Sequence, residues 1–143
     1  MDNVKNVCQK IGLDASRMEI EFDLHPDDAT HRGIGRKIAE KAERYTEFIE
    51  GFLNPDRASY AVLSEIRVLD TSKVNEMFIA LNLINRQYLL ADLTGTEEAF
   101  EYFIKRALEE WEGIKPPLIA IIEQVKNSWK ESLRQQDELG YLG

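Results

Sequence analysis

Residues 73–92 read KVNEMFIALNLINRQYLLAD, and the spacing of the apolar side chains in this stretch decides the fold class. Val74, Met77, Phe78, Leu81, Ile84, Tyr88 and Leu89 recur at three- and four-residue intervals, the period that keeps side chains on one face of an α-helix. Ala80, Leu83 and Leu90 widen that stripe. A helix so apolar is expected at the centre of a helical bundle. Asp70-Thr71-Ser72 just before it supplies side-chain oxygens for a helix start.

Working back, Ile34, Ile38, Ala42, Tyr45, Ile49 and Phe52 repeat at four-four-three-four-three, which predicts a helix of about 20 residues. It should end before Asn54-Pro55, because the proline ring disfavours helical geometry in its predecessor. Pro55 suits the first position of a further helix over residues 55–69, with Tyr60, Leu63 and Ile66 as apolar content. Working forward, Thr94 and Glu97 have capping-box spacing, though Thr96 serves equally as the cap. The next helix, residues 97–112, carries Phe100, Phe103, Ala107 and Trp111, and Gly113 is read as its stop. Pro116-Pro117 are read as the start of a last helix bearing Leu118, Ile121 or Ile122, Val125, Trp129 and Leu133. Tyr141 and Leu142 close the chain and fray unless they dock.

The N-terminal part differs. Val4, Val7, Cys8 and Ile11 mark a short helix that ends at Gly12 and must dock on something larger. Residues 18–24, MEIEFDL, alternate apolar and acidic. That two-residue period reads as an extended segment, while the helix-forming Met and Glu support a helix; both readings stand at this point. An extended 18–24 would need a partner edge, for instance its copy in a dimer. The expected architecture is therefore all-α: about five longer helices in a compact bundle, preceded by a short helix and an arm. Residues 1–32 form the helix and arm, and residues 33–143 the bundle, packed together as one domain.

Composition narrows the function. The 143 residues carry a net charge of -8, a field that discourages non-specific binding to nucleic acid or anionic membrane. The longest apolar run is far shorter than the ~20 residues a membrane span needs. The single Cys8 excludes an internal disulfide and fits a cytoplasmic setting. Neither a phosphate-binding loop, a dinucleotide fingerprint nor a nucleophile elbow occurs.

Three groups of residues bear on chemistry. Asp23, His25 and His31, with Glu19, Glu21, Asp27 and Asp28 nearby, combine imidazoles with hard oxygen donors, and an extended 18–24 would align several of them on one face as metal ligands. Arg32, Arg36, Lys37, Lys41 and Arg44 offer a basic stripe for phosphate or nucleic acid. Glu40 with Glu43, and Glu98 with Glu101, are pairs three apart on helix faces. Brought together, the two pairs would hold Mg or Mn for hydrolysis of a nucleotide or phosphate ester. Each group also has a plain reading as a solvated helix face or helix-start acid. The reading preferred here is a non-enzymatic interaction or assembly module that binds another protein or a copy of itself as a homodimer. The hydrolase and the nucleic-acid binder are the alternatives.

Overall fold

The computed structural model describes residues 3–53 and 70–140. The helix expected over 55–69 and the docking of Tyr141 and Leu142 lie outside these residues, as do the side chains of Trp129 and Leu133. Among the described residues the secondary structure is five α-helices and one 3-10 turn: α1 (Val4–Ile11), α2 (Ala15–Phe22), the turn Pro26–Asp28, α3 (His31–Leu53), α4 (Thr71–Thr94) and α5 (Glu97–Gly140). The all-α expectation holds.

Local signals explain most boundaries. Asn3 caps α1 by accepting from the Asn6 backbone N–H at 2.9 Å, and Gly12 ends it at φ 87°, where a side chain would be strained. Asp14 caps α2 through the Ser16 N–H at 3.0 Å, and Asp70 caps α4 through Ser72 in the same way. Between α4 and α5 the cap is Thr96, whose Oγ1 accepts from Ala99 N–H.

Of the two readings left open for residues 18–24 the helix holds, and one further expectation is overturned. Residues 18–24 are not an extended arm: helix α2 runs through Phe22, and Asp23 ends it in the left-handed region at φ 52°. Met18 and Phe22, one helical turn apart, are buried, while Ile20 between them is 85% exposed. A strand would have put all three on one face. The helix wins because Met18 and Phe22 enter the core one turn apart, with Leu24 following just beyond the helix end, and docking on α3 supplies stability that an eight-residue helix lacks alone. The dimer motive drawn from an unpaired 18–24 edge disappears with it.

The overturned expectation concerns Gly113 and Pro116-Pro117, which neither stop nor start a helix. Helix α5 continues through them to Gly140. The reason lies in the phase of the apolar residues. Phe100, Phe103, Ala107, Trp111, Ile114, Leu118, Ile121 and Val125 are all buried, and their three-four spacing passes through the proline pair without a slip. One continuous buried face outweighs the two donors that the prolines remove; the carbonyls losing them belong to Glu112 and Gly113, both solvent-exposed positions.

Helix α4 packs against both α3 and α5, so its predicted central place holds. Ile34, Ile38 and Ile49 of α3, Leu81 and Ile84 of α4, and Ile104 of α5 are almost wholly excluded from solvent. Gly33, near the start of α3, sits against the turn Pro26–Asp28: an added Cβ would lie 2.7 Å from the Asp28 carbonyl oxygen and 2.9 Å from its Cα. Alanine normally stabilises a helix interior by about 1 kcal/mol over glycine. Here the backbone obstacle reverses the sign. Gly33→Ala is expected to destabilise by roughly 1–3 kcal/mol, read as a lowered denaturation midpoint; an unchanged or raised midpoint would show that the turn gives way freely.

Candidate interaction surface

The three groups singled out from the sequence are dispersed by the fold. Glu19, Glu21 and Asp23 advance 200° per two residues on a helix rather than sharing a face. Asp23 lies 3.6 Å from His25 at the exposed end of α2, and Asp28 is buried, accepting from the His25 backbone N–H at 3.0 Å with Arg36 at 3.7 Å. His31 begins α3. Among the described residues, no three His, Cys, Asp or Glu side chains are grouped to hold a metal ion.

Members of the basic stripe take structural partners. Arg32 pairs with Asp92 at 2.6 Å and covers the Phe100 ring at 4.9 Å. Arg36 lies between Asp28 and Glu40. Lys41 turns inward, donating to the Glu21 carbonyl oxygen and standing 5.4 Å and 5.5 Å from the Phe22 and Trp111 ring centres. Lys37 is half-buried and Arg44 exposed. Nor do the carboxylate pairs line a common cleft. Glu40 and Glu43, with Glu47 and Glu50, border a groove between α3 and α4 opposite Asn82, Asn85 and Arg86. Glu98 stands exposed in the first turn of α5, and Glu101 pairs with Lys105 at 3.0 Å.

Glu21 proves more consequential than its place in a candidate metal set. Its carboxylate accepts from Trp111 Nε1 at 2.7 Å and from Lys115 at 2.9 Å, pinning α2 to α5. Burial by itself would raise the carboxyl, but the two hydrogen bonds and the charges of Lys41 and Lys115 outweigh it and hold it below its ordinary value. Burial pushes Lys41 down, against the favourable charge of Glu21, with Lys115 and Arg44 adding to the depression. Cys8 is fully buried, and burial raises its thiol, with Glu19 and Asp14 adding to the shift. That disfavours the reactive thiolate.

The feature left without an internal partner is apolar. Of nine large hydrophobic residues exposed on the described surface, five belong to α4. Ile79, Leu83, Leu90 and Leu93 are 52%, 51%, 66% and 85% exposed. At 100° per residue they fall, with Arg86, within a band about 80° wide. Val74, Leu81, Ile84, Tyr88 and Ala91 occupy the opposite side and supply the core. Leu83 and Leu90, read from the sequence as widening the core stripe, and Leu89, read within it, therefore face outward. A second stripe was present in the sequence as a separate three-four series, 79-83-86-90-93, but the strength of the first obscured it.

Beside the C-terminal half of this stripe lies a pocket of about 340 Å³ between α4 and α5. Leu90, Ala91, Ala99 and Phe103 give it apolar walls, and Tyr102 and Arg106 stand at it. The Arg106 guanidinium donates to the Tyr102 hydroxyl at 2.8 Å. The Gln87 amide nitrogen donates to Glu110 at 3.3 Å, while its Oε1 is buried with no hydrogen-bond partner. A buried acceptor left so costs stability until a donor arrives. No protein-family model matches the sequence, and no curated protein or solved structure is significantly similar to it. Among the described residues no helix is long and apolar enough to cross a membrane.

Proposed function

We propose that this protein is an assembly module that binds a second copy of itself through the outer face of α4. The observation that carries the proposal is the opposition of two apolar stripes on one helix, one consumed by the core and one facing water. Single exposed leucines are ordinary on protein surfaces, but a continuous apolar patch is a mark of an interface. Taking roughly 150–250 Å² for a large side chain, Ile79, Leu83, Leu89, Leu90, Leu93 and Tyr102 offer on the order of 600 Å². This approaches the ~800 Å² per partner of a standard interface, before any rim is counted.

Charge favours a second copy as the occupant. Two chains of net charge -8 repel wherever their acidic faces meet. The residues flanking the outer stripe are Glu76, Ala80, Gln87 and Thr94 on one side and Asn82 and Leu89 on the other, so its charges are Glu76 and Arg86, of opposite sign. The α3–α4 groove with its four glutamates adjoins this face at Arg86 and Leu89. The same patch on each protomer then meets itself, as a two-fold interface requires.

Light scattering at tens of micromolar is expected to give the dimer mass. Leu83→Lys with Leu90→Lys is expected to return the monomer with little change in its denaturation midpoint, because both side chains already face solvent. A parent chain that remains monomeric over that range overturns the proposal.

A further inference from the structure

The pocket beside α4 is built by two helices in the same way. Four residues of α4, beginning at Gln87, and four of α5, beginning at Ala99, line it, each set spaced i, i+3, i+4, i+7 so that one face of each helix is turned to it. The hollow exists because Ala91 and Ala99 present only methyl groups beside the bulkier Leu90 and Phe103. Its volume of about 340 Å³ lies in the range of small-molecule sites, which combine apolar walls with a few convergent polar groups. Such groups are present. The Gln87 amide nitrogen and Arg106 Nε both donate to one oxygen, Glu110 Oε1, at 3.3 Å and 3.4 Å, so the amide and the guanidinium stand side by side. Arg106 gives a further N–H to the Tyr102 hydroxyl, and a guanidinium has five such donors. Gln87 Oε1, by contrast, is a buried acceptor without a donor. Glu110 fixes this orientation of the amide, because exchanging its oxygen and nitrogen would set two acceptors against each other.

We infer that this pocket binds a small neutral alcohol, its apolar body in the hollow and its hydroxyl placed to donate to Gln87 Oε1 and to accept from Arg106. The site does not rest on the self-association proposed above, because every lining residue belongs to one chain. A hydroxyl is donor and acceptor at one atom, so it meets both needs at once. The last torsion of a glutamine is soft, and the amide oxygen turns toward an arriving donor while α4 stays in place. Charged heads fit worse. A carboxylate brings Gln87 no proton and meets Glu110 beside the guanidinium it would need, while an ammonium meets Arg106. The ion pair at the mouth thus cancels its own charge and selects a neutral head.

The test titrates molecules of one skeleton, 3-phenylpropanol, propylbenzene, 3-phenylpropanoate and 3-phenylpropylamine, into isotope-labelled protein and follows the backbone amide resonances. Leu90 and Tyr102 belong to the outer patch as well, so the titration is run in the Leu83→Lys chain, whose substitution weakens pairing and lies outside the pocket lining. The alcohol is expected to shift amides along residues 87–106 and to saturate by roughly millimolar concentration, with both ions roughly tenfold weaker. Gln87→Met keeps the side-chain length and removes the acceptor. It is expected to weaken the alcohol about fivefold, the equivalent of one ordinary hydrogen bond, and to leave propylbenzene unchanged. Ala99→Leu fills the hollow and is expected to abolish binding of both while the denaturation midpoint holds or rises. An ion that binds as tightly as the alcohol overturns the neutral head. Equal losses of alcohol and propylbenzene in Gln87→Met overturn the role of its oxygen. Alcohol binding that survives in a folded Ala99→Leu chain, or no shift along residues 87–106 with any of the molecules, overturns the site. Self-association is read separately by light scattering of the parent chain and stands or falls apart from these results.

Discussion

Leu81→Ala is expected to destabilise the protein by about 3–5 kcal/mol, whereas Leu83→Ala, two residues along the same helix, is expected to cost well under 1 kcal/mol in the monomer. Leu81 is fully excluded from solvent at the meeting of α3, α4 and α5, so its truncation leaves a cavity in a close-packed core. Leu83 is half exposed on the far side and leaves none. The order is expected to reverse in association: Leu83→Ala weakens self-association, while Leu81→Ala leaves the residual folded fraction able to pair. Urea denaturation at low protein concentration, followed by light scattering at high concentration, separates the two effects. Equal losses of stability at both positions would mean that the two faces of α4 are not distinct.

The second large effect is expected at Trp111. This residue is buried against Phe22 and Tyr45, with ring centres 6.2 Å and 6.0 Å away, and it donates to Glu21. Trp111→Ala removes the packing and the donor together and is expected to cost about 3–5 kcal/mol. Trp111→Phe keeps most of the packing but leaves Glu21 short of a donor, for roughly 1–3 kcal/mol. Glu21 adds a pH signature. Its carboxyl is held low in the fold, so its contribution is present above the unfolded-chain value near ~4.3 and is lost as pH falls through the lower folded value. Stability measured at neutral pH and at stepped values below pH 5 should therefore fall more steeply in the parent than in Glu21→Gln. Identical acid limbs in the two chains would assign no such role to Glu21.

Much of the architecture was legible in the order of residues. Helix periodicity, the Asp70-Thr71-Ser72 start and Gly12 as a stop are local properties: each depends on side chains within one or two turns, and the fold agrees with them. Local reasoning failed where a local preference met a longer-range gain. Proline at 116 and 117 signals a break, yet α5 continues because its buried face keeps phase from Phe100 to Val125. Residues 18–24 alternate like a strand, yet Ile20 faces solvent while Met18 and Phe22, one helical turn apart, enter the core.

The candidate site divides along the same line. By itself the sequence determined that α4 bears apolar residues on more than one face, because the wheel positions of residues 74–93 follow from helix geometry alone. Only the tertiary structure decided which face is inside, since that depends on where α3 and α5 lie, and neither packing partner is written into α4. The Glu21–Trp111–Lys115 cluster belongs wholly to tertiary structure. Its members are 90 and 94 residues apart, and no short-range spacing marks carboxylate, indole and ammonium as partners before the chain has folded around them.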